Sequence, residues 1–193
     1  MGSTTERFFV DRAEPADLGA VMELERASFA AGIVEDAAIF RARMETFPAG
    51  FLLLRDAETG AAAGYLCAER WAADPGDDAD GFALGHDPAE RYASDGPILY
   101  TASMAVSPAY RGAGLGAQLF SRGRERILSA APGIDIELLI VNEDWTGARR
   151  IYERAGFAAR AALRAFFAAS DGTRRAAIVM ERAGWIDGAG SVR

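Results

Sequence analysis

Residues 112–116, Gly-Ala-Gly-Leu-Gly, constrain this chain more than any other segment. The three alternating glycines stand between an apolar run that ends at Val106 and a helical run that contains Gln118, Leu119 and Phe120. Glycine has no Cβ, so such a loop can turn its backbone N–H groups inward and let a bulky anion approach. The helix behind it adds unsatisfied N–H groups and the positive end of its dipole. Strand, loop and helix in that order make a cradle for a phosphate group. Backbone cradling needs few cationic side chains, so a chain of net charge −7 can still use it.

The simplest alternative is a flexible turn ahead of a helix. A dinucleotide fingerprint fits poorly, because its first glycine follows the strand at once, whereas residues 107–111 intervene here and the spacing is Gly-x-Gly-x-Gly. A nucleoside triphosphate loop needs Gly-Lys-Ser/Thr, and every basic residue of this chain is Arg.

Periodicity supplies the remaining elements. Residues 8–10 form a short apolar run, and Leu18, Val21, Met22 and Leu24 are spaced as on a helix. Ile39, Phe40, Met44 and Phe47 repeat that spacing and stop before Pro48. Residues 51–54 and 63–67 read as a hairpin around the turn-forming stretch 56–60. Strands over 98–106 and 134–141 flank the helix 114–130. A helix over 145–155 closes at Gly156, and a last hairpin pairs 163–168 with 176–180. Between these lies 72–97, rich in Asp, Gly and Pro and without a period, which predicts a long acidic surface loop.

The residues around the glycines carry a further pattern. Val106-Ser107-Pro108-Ala109-Tyr110-Arg111-Gly112 leads into Ala113-Gly114-Leu115-Gly116, and Ala148, Ile151, Tyr152, Gly156 and Phe157 follow in order downstream. Both blocks resemble the GNAT superfamily of N-acetyltransferases, in which Arg/Gln-x-x-Gly-x-Gly/Ala follows a strand and a second block reads Ala-x-x-Leu-Tyr-x-x-x-Gly-Phe. The resemblance implies an α/β domain of the α+β type. Its central sheet is mixed and mostly antiparallel, with a splayed parallel strand pair flanked by helices. It also implies transfer of an acetyl group from acetyl-coenzyme A, as co-substrate, to a primary amine of a small molecule or a protein N-terminus. The alternatives are a longer acyl donor and a silent acyl-coenzyme A sensor.

By the same resemblance, Met104, Ala105 and Val106 pair with the cofactor arm, and Arg111, Gly112, Ala113, Gly114, Leu115 and Gly116 hold its phosphates. Tyr152 is the expected general acid. The base has no counterpart, because Tyr100 and Ala102 stand where relatives carry Glu or His. The candidates are His86, the single histidine, Ser103 acting through water, and a carboxylate of the 72–97 loop. Trp145 replaces an Asn that relatives often carry. Asp74, Asp77, Asp78 and Asp80 suggest that a cationic acceptor enters beside the 72–97 loop.

At 193 residues one domain is expected, with a core over about 8–184 and a tail at 185–193. The acidic balance argues against nucleic acid. The single Cys67 excludes an internal disulfide and a multi-Cys zinc cluster, and its apolar surroundings make it a core residue. No metal is expected. No run reaches the ~18 apolar residues of a membrane span, and the first residues lack the apolar run of a secretion signal, so a cytoplasmic address is the expectation. Phe166 and Phe167 offer a surface for a homodimer.

Overall fold

The computed structural model describes residues 7–183, so the expected tail at 185–193 lies outside the described residues. Seven strands form one sheet: β1 (Phe8–Arg12), β2 (Phe51–Asp56), β3 (Ala62–Trp71), β4 (Ile98–Val106), β5 (Ile136–Asn142), β6 (Ala158–Ala168) and β7 (Arg174–Ala183). The order across the sheet is β1-β2-β3-β4-β5-β7-β6. Every neighbouring pair is antiparallel except β4 and β5. Four helices cover it: α1 (Leu18–Ser28), α2 (Ala37–Thr46), α3 (Leu115–Ala130) and α4 (Thr146–Arg154).

Strand periodicity divides the core into two layers. Leu52, Leu54 and Leu66 face one way and meet Leu119, Phe120 and Ile127 of α3 together with Tyr152 of α4. Leu53, Tyr65 and Cys67 face the other way and meet Val21, Met22 and Leu24 of α1 and Phe40 of α2. A sheet covered on both faces reads as a continuous apolar run, which is why nearly all of β3 is buried. Helix α3 lies close on the sheet, because a Cβ on Gly123 would stand 2.6 Å from Leu66 Cδ2.

The parallel pair determines where a ligand can enter. Strands β4 and β5 pair only from Ile98↔Ile136 to Thr101↔Leu139, although both run on, to Val106 and Asn142. On its other edge β4 stays paired with β3 as far as Val106, with a bulge at Ala102 between the Ala68↔Thr101 and Cys67↔Ser103 pairs. A bulge bends the strand that carries it. The bend turns the C-terminal half of β4 away from β5 and leaves residues 102–106 with an edge that no described strand covers.

Segment 72–97 differs from the expected structureless loop. It contains two short 3-10 turns, Ala79–Phe82 and Pro88–Glu90, and Phe82 is fully buried among Trp71, Tyr100 and their neighbours. Arg160 on β6 holds Asp74 at 2.6 Å and Asp77 at 3.1 Å, while Asp78 accepts from the backbone N–H of Asp80.

Candidate active site

The split between β4 and β5 opens a groove of about 620 Å³ that runs to the glycine loop. Met104, Ala105, Val106, Arg111, Gly112, Gly114, Leu115 and Gly116 all line it, and of the nine residues expected here only Ala113 does not. Gly112 and Gly114 adopt φ values of +82° and +76°, which side-chain-bearing residues rarely take, and a Cβ on either would stand in open space. Gly114 caps α3 without a side-chain hydrogen bond. The first N–H to close the helix is that of Gln118, onto Gly114 O at 3.2 Å, so the N–H groups of the first turn remain available to an anion. The Arg111 guanidinium donates to Val106 O at 3.3 Å and closes the loop on the strand end. Arg154 of α4 adds a second cationic side chain to the lining.

In the groove wall the Ser28 hydroxyl is buried without a hydrogen-bond partner among the described residues. A buried hydroxyl left this way costs about 1–3 kcal/mol. The open edge of residues 102–106 and the free N–H groups at the start of α3 suit an extended, hydrogen-bonding molecule that ends in an anionic group.

At the splay the groove meets a smaller chamber of about 80 Å³ on the far side of β4, and Phe29, Met104, Trp145 and Ala148 line both. Tyr152 reaches the chamber from α4, held by edge contact with Phe120 at 4.9 Å between ring centroids. Burial alone pushes its phenol above the ordinary value, so it is protonated at neutral pH.

The chamber lining also carries carboxylates, which sequence reasoning did not single out. Glu25, on the apolar face of α1 and 1% exposed, lines the chamber with Glu35 and Ser103. The Tyr65 hydroxyl donates to Glu25 Oε2 and lies 2.7 Å from Ser103 Oγ, and the backbone N–H of Glu35 donates to Glu25 Oε1 at 3.4 Å. Burial, opposed by the Tyr65 hydrogen bond, raises the Glu25 carboxyl above the usual carboxylate range. Ser103, Tyr65 and Glu25 thus form a continuous hydrogen-bonded chain that begins and ends at the chamber wall.

His86 sits elsewhere. Its Nδ1 is 2.8 Å from Ala83 O, its Nε2 is 2.7 Å from Glu69 Oε2, and it is not part of the chamber lining. Both partners are acceptors, so both nitrogens donate and the ring is held as imidazolium. Burial opposes that charge, but the hydrogen bond and charge of Glu69 outweigh it and raise the His86 pKa. A ring already carrying both protons has no site from which to accept another.

Glu69 also accepts from Trp71 Nε1 at 2.7 Å and from Arg43 Nε at 2.6 Å, and Arg43 binds both oxygens of Glu35 at 2.7 and 2.9 Å. Tyr100 lies behind the chamber, stacked on Trp71 at 4.0 Å. None of Asp74, Asp77, Asp78 and Asp80 lines the chamber, which receives only Leu84 from the 72–97 segment. Phe167 is buried in the chamber wall, and Phe166 packs on it with centroids 5.0 Å apart.

A sheet split at one parallel pair, with a glycine loop and a helix N-terminus at the mouth of the split, is the arrangement of an acyltransferase-type α/β domain. The family model described as an acetyltransferase (GNAT) domain matches residues 53–159, and the chain belongs to that family. A comparison with curated proteins returned no match. Among solved structures, the ribosomal-protein-S18-alanine N-acetyltransferase of Escherichia coli superimposes with a TM-score of 0.71 at 19% identity, over 96% of this chain and 99% of that one. A GNAT superfamily phosphinothricin acetyltransferase from Sinorhizobium meliloti, solved with acetyl-CoA, gives 0.66 at 17% identity over 92% and 89%. The GphF GNAT-like decarboxylase, solved with isobutyryl-CoA, gives 0.69 at 21% over 91% and 98%. At such identities the likeness shows the fold and not the chemistry.

Proposed function

We propose that this protein transfers the acetyl group of acetyl-coenzyme A to a primary amine by direct attack on the thioester. One observation carries the reading: groove and chamber meet at the splayed strands, and the chamber lining holds both a protonated phenol, Tyr152, and an ionisable carboxylate, Glu25. The bound co-substrate supplies an activated acetyl group on a thiol leaving group.

The N–H groups of the glycine loop and the first turn of α3 hold the pyrophosphate, and the open edge of residues 102–106 pairs with the amides of the arm. An N–H of that edge also donates to the thioester carbonyl as negative charge grows on its oxygen. Glu25 takes the proton from the amine, directly or through Tyr65 and Ser103. Tyr152 gives its proton to the departing sulfur, and exchange with solvent restores both groups. Assigning the base to Glu25 takes that role from His86 and leaves Ser103 as a relay.

The reading is tested by incubating the protein with acetyl-coenzyme A and a panel of primary amines, following thiol release and the mass of the acetylated amine. Stoichiometric release with one or more amines is the expected result. Failure of acetyl-coenzyme A to bind in calorimetry would overturn the reading.

A further inference from the structure

We infer that the acceptor is a small, apolar primary amine with no carboxylate or other anionic group on the carbon next to nitrogen. This rests on the amine-acetyltransferase reading above and narrows it to a substrate class.

Charge is the first ground. The chamber lining carries two carboxylates, Glu25 and Glu35, and no Arg or His. Arg43, the cation closest in the hydrogen-bond network, spends its guanidinium on Glu35 and Glu69 and is not part of the lining. On the acceptor side Arg164 and Arg174 line a separate groove that shares only Leu84 with the chamber, and Arg174 already donates to the carbonyls of Ala165 and Phe166. An anion beside the reacting nitrogen would therefore face Glu25, which has no cationic partner among the described residues, and would find no cation in the lining to bind, because Arg43 is taken up by Glu35 and Glu69. Where water is excluded, like charges brought together repel strongly enough to reject the wrong partner.

Shape is the second ground. Trp145 packs between Phe29 and Phe167, with ring centroids 5.3 and 5.5 Å away, and all three rings line the chamber. Aromatic faces attract an ammonium group and its adjacent methylenes without demanding a hydrogen bond. The volume of about 80 Å³ is roughly half that of a cavity known to hold benzene, so about three to five non-hydrogen atoms fit inside.

The test uses three acceptors that share one carbon skeleton: isobutylamine, valinamide and valine. Isobutylamine lacks the group next to the amine carbon, valinamide carries a neutral one, and valine carries a carboxylate of nearly the same size. Steady-state rates with acetyl-coenzyme A should rank isobutylamine above valinamide, and valinamide at least about a hundredfold above valine in kcat/KM. Valine within about threefold of valinamide would overturn the exclusion of anions. Valinamide above isobutylamine would overturn the small-amine class in favour of a peptide terminus. If none of the three turns over, calorimetry with coenzyme A present decides: isobutylamine binding without valine supports the inference, and equal or no binding of both overturns it. Loss of acetyl-coenzyme A binding itself is a different result, and it would reject the parent reading. Leu84→Arg, at a partly exposed position, places a cation in the lining and should narrow the valinamide-to-valine ratio by tenfold or more. An unchanged ratio in that variant would mean that charge is not what excludes valine.

Discussion

The two proton-handling groups differ in how openly the sequence displays them. Tyr152 falls in a block that the family resemblance singles out, and the structure places it in the chamber lining. Glu25 follows Val21, Met22 and Leu24 at the spacing of a buried helix face, where a carboxylate is out of place. That misfit was the available signal, but its meaning depends on Tyr65 and Ser103, which reach Glu25 only through the sheet. His86 misled in the opposite way, since nothing local shows that Glu69 and Ala83 O occupy both its nitrogens. Tyr152→Phe keeps the ring and its contact with Phe120, so kcat should fall by about 10²-fold or more with little change in acetyl-coenzyme A affinity. A near-normal kcat would leave Tyr152 as a packing residue. Glu25→Gln keeps an acceptor for Tyr65 and removes the proton-accepting charge, so kcat should fall by about 10²- to 10⁴-fold. Because a base must be ionised and the Glu25 pKa is raised, the acid limb of the wild-type kcat/KM profile should lie above the usual carboxylate range. Glu25→Gln should abolish that limb, and a variant that retains it would assign the limb to another group.

Among the elements, the glycine loop was legible because its residues are forced by backbone geometry, whereas the split sheet was legible only through the family resemblance. The split depends on a single bulged residue, Ala102, and alanine in a strand carries no sign of a bulge. Segment 72–97 was read as loop because it lacks a period, yet Phe82 is anchored against Trp71 and Tyr100, and Trp71 bridges to Tyr92. Contacts of that kind join residues distant in sequence and leave no periodic trace. At the cradle, Gly114→Val forces a β-branched side chain into a backbone with φ of +76°, at a cost of about 1–3 kcal/mol. The side chain would also occupy the open space above the first turn of α3. Acetyl-coenzyme A affinity measured by calorimetry should drop at least tenfold while the far-ultraviolet circular dichroism stays native. Unchanged affinity in a folded variant would mean that the phosphates bind elsewhere.

Across the whole molecule, charges hold the site together in proportion to how far they are removed from water. Asp74 and Asp77 clamp Arg160 at the edge of the sheet with side chains 29% and 62% exposed, and ion pairs so placed contribute about 0–1 kcal/mol. Arg43 is different, because it and its partners Glu35 and Glu69 are all nearly inaccessible. Through them it joins α2 to β3 and to the segment before α2. Glu35 carries the link onward by accepting from Gly85 N–H at 2.6 Å, next to Leu84 of the chamber wall, and by donating its own N–H to Glu25. Arg43→Met fills similar space, strips the buried Glu35 of its cation and leaves Glu69 with His86 alone. Breaking a buried pair in this way costs about 3–5 kcal/mol. For a chain of this size that lowers the melting temperature by roughly 6–20 °C, at about 2–4 °C per kcal/mol. Asp74→Asn with Asp77→Asn should move the melt by far less and leave KM for an amine acceptor unchanged, since neither residue lines the chamber. Parallel thermal melts of the two variants decide the matter. If Arg43→Met melts within about 2 °C of the parent protein, the buried network is not what ties the acceptor chamber to the rest of the fold.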